Sequence, residues 1–339
     1  MSDVPTASTA FAEGTAVSPL GQLTTEAHNG EKLRFSFLGP RGTFCQQALN
    51  SIATETEAVH LPAPDAPRAI AMVRSGKADY AVVPIENSVE GGINATLDAL
   101  GKHADLTIQA EILVNITFVL AVRAGTHMAD IRKISTHNAA WTQCRDWLMG
   151  NLPDALYLPS GSTAAAAKAL AEQDNPGFEA TLVSPLAAEQ YGLTVLREGV
   201  ADNPDAVTRF VMIGAAGNVP ERTGSDKTTL LVHLPADRSG ALLGLLEQFA
   251  SRGVNLSRIE SRPTGDSLGR YAFSIDAEGH IEDQRIQSAL IGLHRVSPKV
   301  VFLGSYPSAD QHKIKLAAGT ADQDFVSARE WVQSLLCRR

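Results

Sequence analysis

A threonine and an arginine stand side by side in DAVTRFVMIG, residues 205–214, a segment that is otherwise apolar. The pattern predicts a strand that is apolar on both faces, where the charge of Arg209 is costly unless it meets an anion. Alternatively, Thr208 and Arg209 lie at the solvated end of the strand and bind nothing. The pair therefore suggests an anion-binding strand end without establishing one.

A carboxylate and an amide, Glu86 and Asn87, directly follow the apolar segment AVVPI. Short apolar segments of this kind are typical of strands buried in parallel sheets, so the pair is predicted at a strand end. Glu86 is a candidate acid–base group. An acidic residue at this position could equally stabilise the dipole of a following helix.

Three segments combine a predicted strand, a tight polar turn and a helix start: FLGPRGTF, PIENSVEGGIN and PSGSTAAAA. Helix starts attract anions, and the ends of strands in an open α/β sheet converge on a crevice. Each segment alone is typical of a capped helix, but together with Arg209 they favour a small ligand that carries a carboxylate or a phosphate. The nucleotide-binding glycine fingerprints are missing from the sequence. The candidate capping residues are Thr43, Asn87, Ser88, Ser162 and Thr163.

A fourth predicted strand-to-helix turn, STHNAAWTQC, contributes His137 and Gln143. The histidine is a candidate acid–base group, but without a visible partner it is predicted to cap the helix or to support other site residues. Cys144 lies in the predicted helix and is expected to be a buried thiol rather than a nucleophile. No metal-ligand spacing and no catalytic-serine motif occurs, so no metal is predicted.

The composition is that of a globular protein, and 339 residues are enough for two domains. The net charge of −8 argues against nucleic acid or an anionic membrane as the main partner, without excluding a small anionic substrate. The three cysteines are widely spaced, which fits a reducing compartment. No apolar run approaches the ~18 residues of a membrane span, and residues 1–31 have the composition of a disordered leader, not of a secretory signal. We therefore expect a cytoplasmic location.

Strands and helices alternate from Leu33 to Gly214, which predicts an α/β fold with mostly parallel sheets. The apolar segment ILVNITFVLAVR in the middle of this region is long enough for one or two strands. It favours two lobes that are joined by crossing strands, with a cleft between them. The predicted boundaries are the leader at 1–31, the two-lobed region at 32–217 and a polar linker at 218–226.

The pattern changes after the linker. Residues 227–307 follow the order strand, helix, two strands, helix and strand, which is the ferredoxin-like βαββαβ arrangement. The tail, residues 308–339, contains one possible helix, DFVSAREWVQSLL. Pattern analysis alone thus predicts an α/β cleft protein for a small acid, followed by a small α+β module of regulatory type.

Several motifs occur in a characteristic order: FLGPRGTF, DYAVVPIENSVEGGINATLDAL, STAAAAKAL, AAEQYGL and VTRFVMIG. Together they closely resemble the prephenate dehydratase family, whose members convert prephenate to phenylpyruvate with loss of water and carbon dioxide. The second block resembles an ACT domain, with GALL at 240–243 and ESRP at 260–263. The resemblance extends from about Arg34 to Pro307.

The resemblance implies a catalytic region of two α/β lobes like a type II periplasmic binding protein, with the active site in the cleft and no cofactor. Thr208, Arg209 and Phe210 match the family's Thr-Arg-Phe signature. Glu86 and Asn87 match its Glu-Asn pair.

The segment STHNAAWTQC matches the corresponding motif of the family only in part. Gln143 matches the glutamine that precedes a cysteine in the family. The family usually has Ser-His-Pro-Gln where residues 136–139 are THNA, so His137 and a hydroxyl are kept while the proline and the glutamine are not. No role is therefore carried over to Asn138 or Ala139.

Within this family chemistry, we expect Thr208 to donate a hydrogen bond to the departing hydroxyl group or to orient its donor, a contribution of ~10²–10⁴ in rate. Asn87 and Gln143 would hold the substrate, and Arg209 would bind one of its two carboxylates. Glu86 is a second acid candidate, but its ionised form would repel the dianion unless it is protonated or turned away. The other residues expected to contact the substrate are Phe210, Thr43, Ser88, Ser162, Thr163 and His137.

By resemblance, the second block binds phenylalanine as a feedback effector across a subunit interface, which implies a homodimer or homotetramer. A glycine at the helix start would allow a close approach of the backbone. A purely structural module is the alternative. The residues expected at the effector site are Gly240, Ala241, Leu242, Leu243, Glu260, Ser261, Arg262 and Pro263.

Two other functions stay open. A non-catalytic sensor is one, because both halves resemble ligand-binding folds, although the Thr-Arg-Phe and Glu-Asn motifs are intact. An enzyme of the same fold that acts on arogenate is the other. No segment with the helical pattern of a chorismate mutase precedes the catalytic block, so the chain is expected to be monofunctional.

Overall fold

The computed structural model describes residues 31–235, 239–264 and 271–336, so the expected leader at 1–31 lies almost wholly outside the described residues. The first lobe begins with a strand, and helices and strands then alternate. Its elements are β1 (Arg34–Leu38), α1 (Phe44–Asn50), β2 (Val59–Ala63), α2 (Ala66–Arg74), β3 (Tyr80–Asn87), β4 (Gly91–Gly92), α3 (Asn94–Gly101) and β5 (Leu106–Asn115).

The chain then crosses to a second lobe and later returns. The elements of the second lobe are β6 (Val119–Val122), a single 3₁₀ turn at Met128–Asp130, β7 (Lys133–Thr136), α4 (Asn138–Gln143), α5 (Arg145–Asn151), β8 (Leu156–Pro159), α6 (Thr163–Glu172), β9 (Ala180–Val183), α7 (Pro185–Gln190) and β10 (Thr194–Arg197). The returning strand, β11 (Val207–Ala215), enters the first sheet between β3 and β5. Two lobes joined by crossing segments are thus confirmed, and ILVNITFVLAVR spans the end of β5 and all of β6.

The prediction of mostly parallel sheets is wrong. The strand order is β2-β1-β3-β11-β5 in the first sheet and β10-β6-β9-β7-β8 in the second. Parallel pairing is confined to β1 with β2 and β3, and to β7 with β8 and β9. The strands next to the crossings pair antiparallel, because a chain that leaves a lobe and comes back enters the sheet from the opposite end.

The helix predicted around Cys144 is also different from the observed structure. Its two parts, α4 and α5, meet at Cys144, whose backbone leaves the helical region (φ −117°, ψ 14°). No glycine or proline marks this break. Cys144 therefore lies between two short helices rather than within one.

The C-terminal domain forms a separate antiparallel sheet in the order β13-β14-β12-β15. The elements are β12 (Asp226–His233), α8 (Ala241–Ala250), β13 (Leu256–Pro263), β14 (Tyr271–Glu278), α9 (Gln284–Val296) and β15 (Lys299–Pro307), followed by α10 (Asp322–Leu336). The observed order is βαββαβ. Among the described residues, no helix is both long and apolar enough to cross a membrane.

The two domains share one core. Val301, Leu303 and Tyr306 on β15 belong to the buried apolar cluster that covers one face of the first sheet. Where β15 crosses β5, Gly304 has a positive φ of 140°, and a Cβ atom there would overlap the backbone of Ile108. Only glycine fits this crossing, so the contact between the domains depends on the close approach of two backbones.

We predict that Gly304→Ala destabilises the protein by more than ~2 kcal/mol, since the methyl group meets backbone that cannot repack and the conformation itself disfavours a side chain. Denaturant unfolding of the variant measures the loss. Gly150→Ala is the matched control, because Gly150 lies in α5 with open space around its Cβ position. An unchanged midpoint for Gly304→Ala would contradict the close crossing.

Candidate active site

The two predicted polar pairs come together where β11 pairs with β3. Thr208 lies opposite Asn87, and Arg209 lies opposite Glu86. Because the strands are antiparallel, the beginning of β11 meets the end of β3. The return of the chain to the first sheet therefore places all four residues where β3 ends and β11 begins.

The Thr208 side chain is positioned by Asn87. Asn87 Nδ2 donates to Thr208 Oγ1 at 2.8 Å, and Asn87 Oδ1 accepts from the backbone N–H groups of Val89 (2.8 Å) and Glu90 (3.1 Å). These two acceptor contacts fix which way the amide points. Since Thr208 Oγ1 already accepts one bond, its own proton stays available, and no described residue accepts it. The arrangement presents a hydrogen-bond donor from a nearly buried threonine, which is 6% exposed.

Asn87 and Ser88 do not cap a helix, contrary to the prediction. The segment after Asn87 turns into β4, and α3 begins only at Asn94 with Ile93 at its cap position. Ser88 instead binds the start of β11: its Oγ accepts from the N–H of Val207 at 3.0 Å, and its N–H donates to the Val207 carbonyl at 2.9 Å. The two residues hold the end of β3 against β11.

Three of the other predicted residues lie at helix starts. Thr43 caps α1 and Ser162 caps α6, where Ser162 Oγ accepts from the N–H of Ala165 at 2.9 Å. Thr163 is the first residue of α6 rather than its cap. His137 caps α4, with Nδ1 accepting from the N–H of Ala139 at 3.2 Å, as the capping interpretation predicts.

These helix starts lie at facing edges of the two lobes. Thr43 follows β1 in the first lobe, while His137 and Ser162 follow the parallel strands β7 and β8 in the second. Ser184, which caps α7 after β9, donates from Oγ to the Gly42 carbonyl at 3.0 Å across the gap. Sequence reasoning missed Ser184, although a serine followed by proline at the first helical position is a known helix-start signal.

Gln143 supplies a buried acceptor without a partner. The residue is 8% exposed, and its Oε1 has no hydrogen-bond partner among the described residues. A buried polar atom left unpaired is costly, and a bound ligand that donates a hydrogen bond would remove that cost. The neighbouring Cys144 is fully buried, and burial raises the pKa of its thiol to about 12, which fits the expected inert thiol.

Arg209 does not fit the predicted role of a substrate ligand. The residue is 7% exposed, and its guanidinium uses four of its five N–H groups on protein partners. It donates to Glu111 (Nε to Oε2, 2.7 Å) and Glu86 (Nη1 to Oε2, 3.3 Å) in the first lobe. It also donates to Asp276 (Nη1 to Oδ2, 2.5 Å) and the hydroxyl of Tyr306 (Nη2, 2.8 Å) in the C-terminal domain. The charge predicted to meet a ligand thus meets carboxylates of the protein.

The two buried carboxylates that bind Arg209 each have a second basic partner. Glu111 also accepts from Lys227 Nζ at 2.9 and 3.0 Å, and Asp276 accepts from Arg258 Nε at 2.9 Å. Burial by itself would raise the pKa of Asp276, but the guanidinium groups of Arg209 and Arg258 outweigh it and hold that pKa below its usual range. Sequence analysis did not identify these partners.

Phe210 likewise does not face the cleft. It is 2% exposed and belongs to the apolar core that β11 shares with β1, β3 and β5. Its neighbour in the signature, Thr208, is the residue that reaches the site. Phe210 therefore anchors the strand, and its burial in the apolar core gives no support to the expected contact with substrate.

The two segments predicted for an effector occupy different places in the C-terminal domain. Gly240 caps α8 in a left-handed conformation (φ 81°), and Leu242 and Leu243 are exposed. The side chains of Glu260 and Arg262 on β13 face the first lobe instead, where Arg262 Nη2 lies 2.8 Å from Asp98 Oδ1 on α3. Within one copy of the chain, no hydrogen bond among described residues joins the two segments.

No cluster of three or more histidine, cysteine, aspartate or glutamate side chains able to hold a metal occurs in the part of the chain that the structure describes. The candidate residues thus offer one hydroxyl, two amides, a paired carboxylate and several helix starts. Such a set can bind an anion and donate hydrogen bonds to a leaving oxygen.

Two family models match the chain. The model described as prephenate dehydratase matches residues 35–218, and the model described as ACT domain matches residues 228–295. A relative named prephenate dehydratase, from Mycolicibacterium gilvum, is 40% identical over 310 residues, which is 88% of this chain and 97% of the relative.

Solved structures agree. The crystal structure of prephenate dehydratase in complex with L-Phe from Arthrobacter aurescens has a TM-score of 0.85 and 54% identity, and the match covers 90% of this chain and 99% of that one. GqqA, described as a novel type of quorum quenching acylase, has a TM-score of 0.72 and 30% identity, with 81% and 98% covered. The matches confirm the two-lobed α/β region with a C-terminal ACT domain. They also show that a similar chain carries a different described activity.

Proposed function

Since the chain belongs to the prephenate dehydratase family, we propose that it converts prephenate to phenylpyruvate, water and carbon dioxide under feedback control by phenylalanine. The observation that carries this proposal is the pairing of Thr208 with Asn87 at the cleft edge, which leaves one hydroxyl donor available. The reaction expels the ring hydroxyl while the ring carboxylate leaves as CO2, and the product ring becomes aromatic.

Thr208 acts on the leaving oxygen. A hydroxyl that accepts from Asn87 is oriented and polarised to donate, and nearly complete burial strengthens that bond. Glu86 is the second candidate for the group that acts on the leaving oxygen, and its side chain is 36% exposed. Arg209 lies 3.3 Å from its carboxylate, so the charge of Glu86 is paired and repels the substrate dianion less than a free carboxylate would.

The substrate carboxylates are bound by helix starts. With Arg209 occupied, the groups that support this role are the free N–H groups at the beginning of α6, behind Ser162 and Thr163, and the turn at Thr43. His137 contributes from the start of α4, and Gln143 offers its unpaired Oε1 to a substrate donor. None of these steps requires a metal or a cofactor.

Phenylalanine regulates the enzyme through the ACT domain. The relative from Arthrobacter aurescens is described in complex with L-Phe, which supports the same ligand here. The exposed Leu242 and Leu243 beside Gly240 could contact the ring, while Glu260–Pro263 of a second copy completes the site. This arrangement makes the protein a homodimer or homotetramer. The free, buried Cys45 and Cys144 support a reducing, cytoplasmic location.

The direct test is formation of phenylpyruvate from prephenate by the purified chain, with arogenate assayed in parallel and phenylalanine titrated into both. We expect turnover of prephenate that phenylalanine suppresses. Turnover of arogenate alone would show that arogenate, and not prephenate, is the substrate. No turnover of either compound, with phenylalanine still bound, would make the protein a sensor. Hydrolysis of an acylated quorum-sensing signal in a third assay would favour the quorum quenching acylase activity described for GqqA.

Substitutions at Thr208 test the proposed donor. Thr208→Val keeps the shape of the side chain and removes the hydroxyl, so we expect kcat to fall by ~10²–10⁴ with little change in KM. Thr208→Ser retains the hydroxyl and is the matched control, expected to keep most of the activity. Near-normal turnover by Thr208→Val would show that another group protonates the leaving oxygen.

A further inference from the structure

A buried cluster of charged side chains joins the catalytic sheet to the ACT sheet. Arg209 belongs to β11, directly after the proposed donor Thr208, and half of its partners come from the ACT domain. Those partners, Asp276 and Tyr306, are fully buried. Thr229 Oγ1 ties them together, at 2.7 Å from Asp276 Oδ1 and 2.6 Å from the hydroxyl of Tyr306.

The cluster continues from Asp276 to the ESRP segment. Arg258 Nε donates to Asp276 Oδ2 at 2.9 Å, and Arg258 Nη1 donates to Glu260 Oε2 at 3.2 Å. Arg258 is itself buried between β13 and β14, where Nη2 also binds Ser274 at 2.8 Å. A continuous series of charge-assisted hydrogen bonds therefore runs from Arg209 to Glu260.

Glu260 closes the series by contacting the catalytic region again. Its carboxylate lies against Gly92, where a Cβ atom would overlap it. Gly92 pairs with Glu86 across β3 and β4, and Glu86 is bound by Arg209. The contacts thus form a ring through both domains that includes Glu86 of the Glu-Asn pair. The neighbouring Arg262 reinforces it by binding Asp98 on α3.

Stability alone does not account for such a cluster. Taking charges out of water costs several kcal/mol for each ion, and apolar side chains of the same size often stabilise a core as well or better. What such a cluster provides is mutual dependence, because its buried charges, Arg209, Asp276 and Arg258, are each held by at least two partners. The loss of one partner leaves a buried charge uncompensated. That property suits a contact that transmits a change from one domain to the other.

We propose that Arg209 is a positioning residue that couples the ACT domain to the active site. It holds Glu86 and the beginning of β11 in place, and its own position is set by Asp276 and Tyr306. The inference rests on the proposed function. Phenylalanine bound beside the ESRP segment moves β13, the pairing of Arg258 and Asp276 changes, and Arg209 no longer keeps Thr208 in register with Asn87.

Tyr306→Phe tests the coupling because it removes the hydroxyl bound to Arg209 and keeps the buried ring. The coupling is the ratio of kcat/KM for prephenate without and with saturating phenylalanine, while calorimetry reports phenylalanine binding itself. We expect the ratio to fall at least ~fivefold while phenylalanine still binds. A factor of about five is the lower end of typical allosteric couplings.

Two adjacent threonines provide a second test variant and a matched control. Thr229→Val removes the hydroxyl that joins Asp276 to Tyr306, and we expect the same fall in the ratio. It provides the test if Tyr306→Phe fails to fold. Thr228→Val removes an equally buried hydroxyl that binds the Gly279 carbonyl at 2.7 Å outside the cluster, and it is expected to keep the wild-type ratio.

The possible outcomes distinguish failure of the coupling role from failure of the proposed function. A wild-type ratio in both Tyr306→Phe and Thr229→Val, or an equal loss in Thr228→Val, would overturn the coupling role and leave the enzyme assignment intact. So would a wild-type enzyme that turns over prephenate without any response to phenylalanine. A wild-type chain without turnover would overturn the proposed function and this inference with it.

Discussion

The antiparallel pairing of β11 with β3 is the constraint on which both the site and the domain contact depend. It sets Thr208 opposite Asn87 and Arg209 opposite Glu86 in a single register. Since successive residues of a strand point to opposite faces of its sheet, Thr208 and Arg209 reach different surroundings. One strand thus brings a hydroxyl to the side chain of Asn87 and a guanidinium to the ACT domain.

The same return of the chain explains why the first sheet and the ACT sheet lie against each other. β11 is the last strand of the two-lobed region, and the chain passes almost directly from it into β12. The first sheet shares one buried apolar cluster with the second sheet and another with the ACT sheet.

Much of this architecture follows from local sequence patterns. Alternating apolar segments predict most strands and helices, and the Ser162 and Thr43 helix caps follow from residue type and position. The strands β2 and β10 escaped prediction because both are short and half exposed. The caps assigned to Asn87 and Ser88 were wrong because the segment forms β4 before the helix begins, and nothing local distinguishes the two outcomes.

The surroundings of Arg209 could not be predicted from patterns at all. Its partners lie 67 to 123 residues away along the chain and come from two domains. An arginine in an apolar strand correctly predicts a buried anion, since the charge must be compensated. Whether a ligand or the protein supplies that anion depends on which strands become neighbours, and that information resides only in the fold.

Hydrogen exchange at β11 and β3 shows whether phenylalanine in the ACT domain alters the pairing of these two strands. The amides of residues 207–213 and 83–92 are compared in the free protein and with saturating phenylalanine, with those of the second sheet as reference. The account predicts that phenylalanine changes protection at the start of β11 and at the turn after Asn87, although the effector binds in the other domain. Unchanged exchange in both segments, with phenylalanine bound and turnover suppressed, would contradict it.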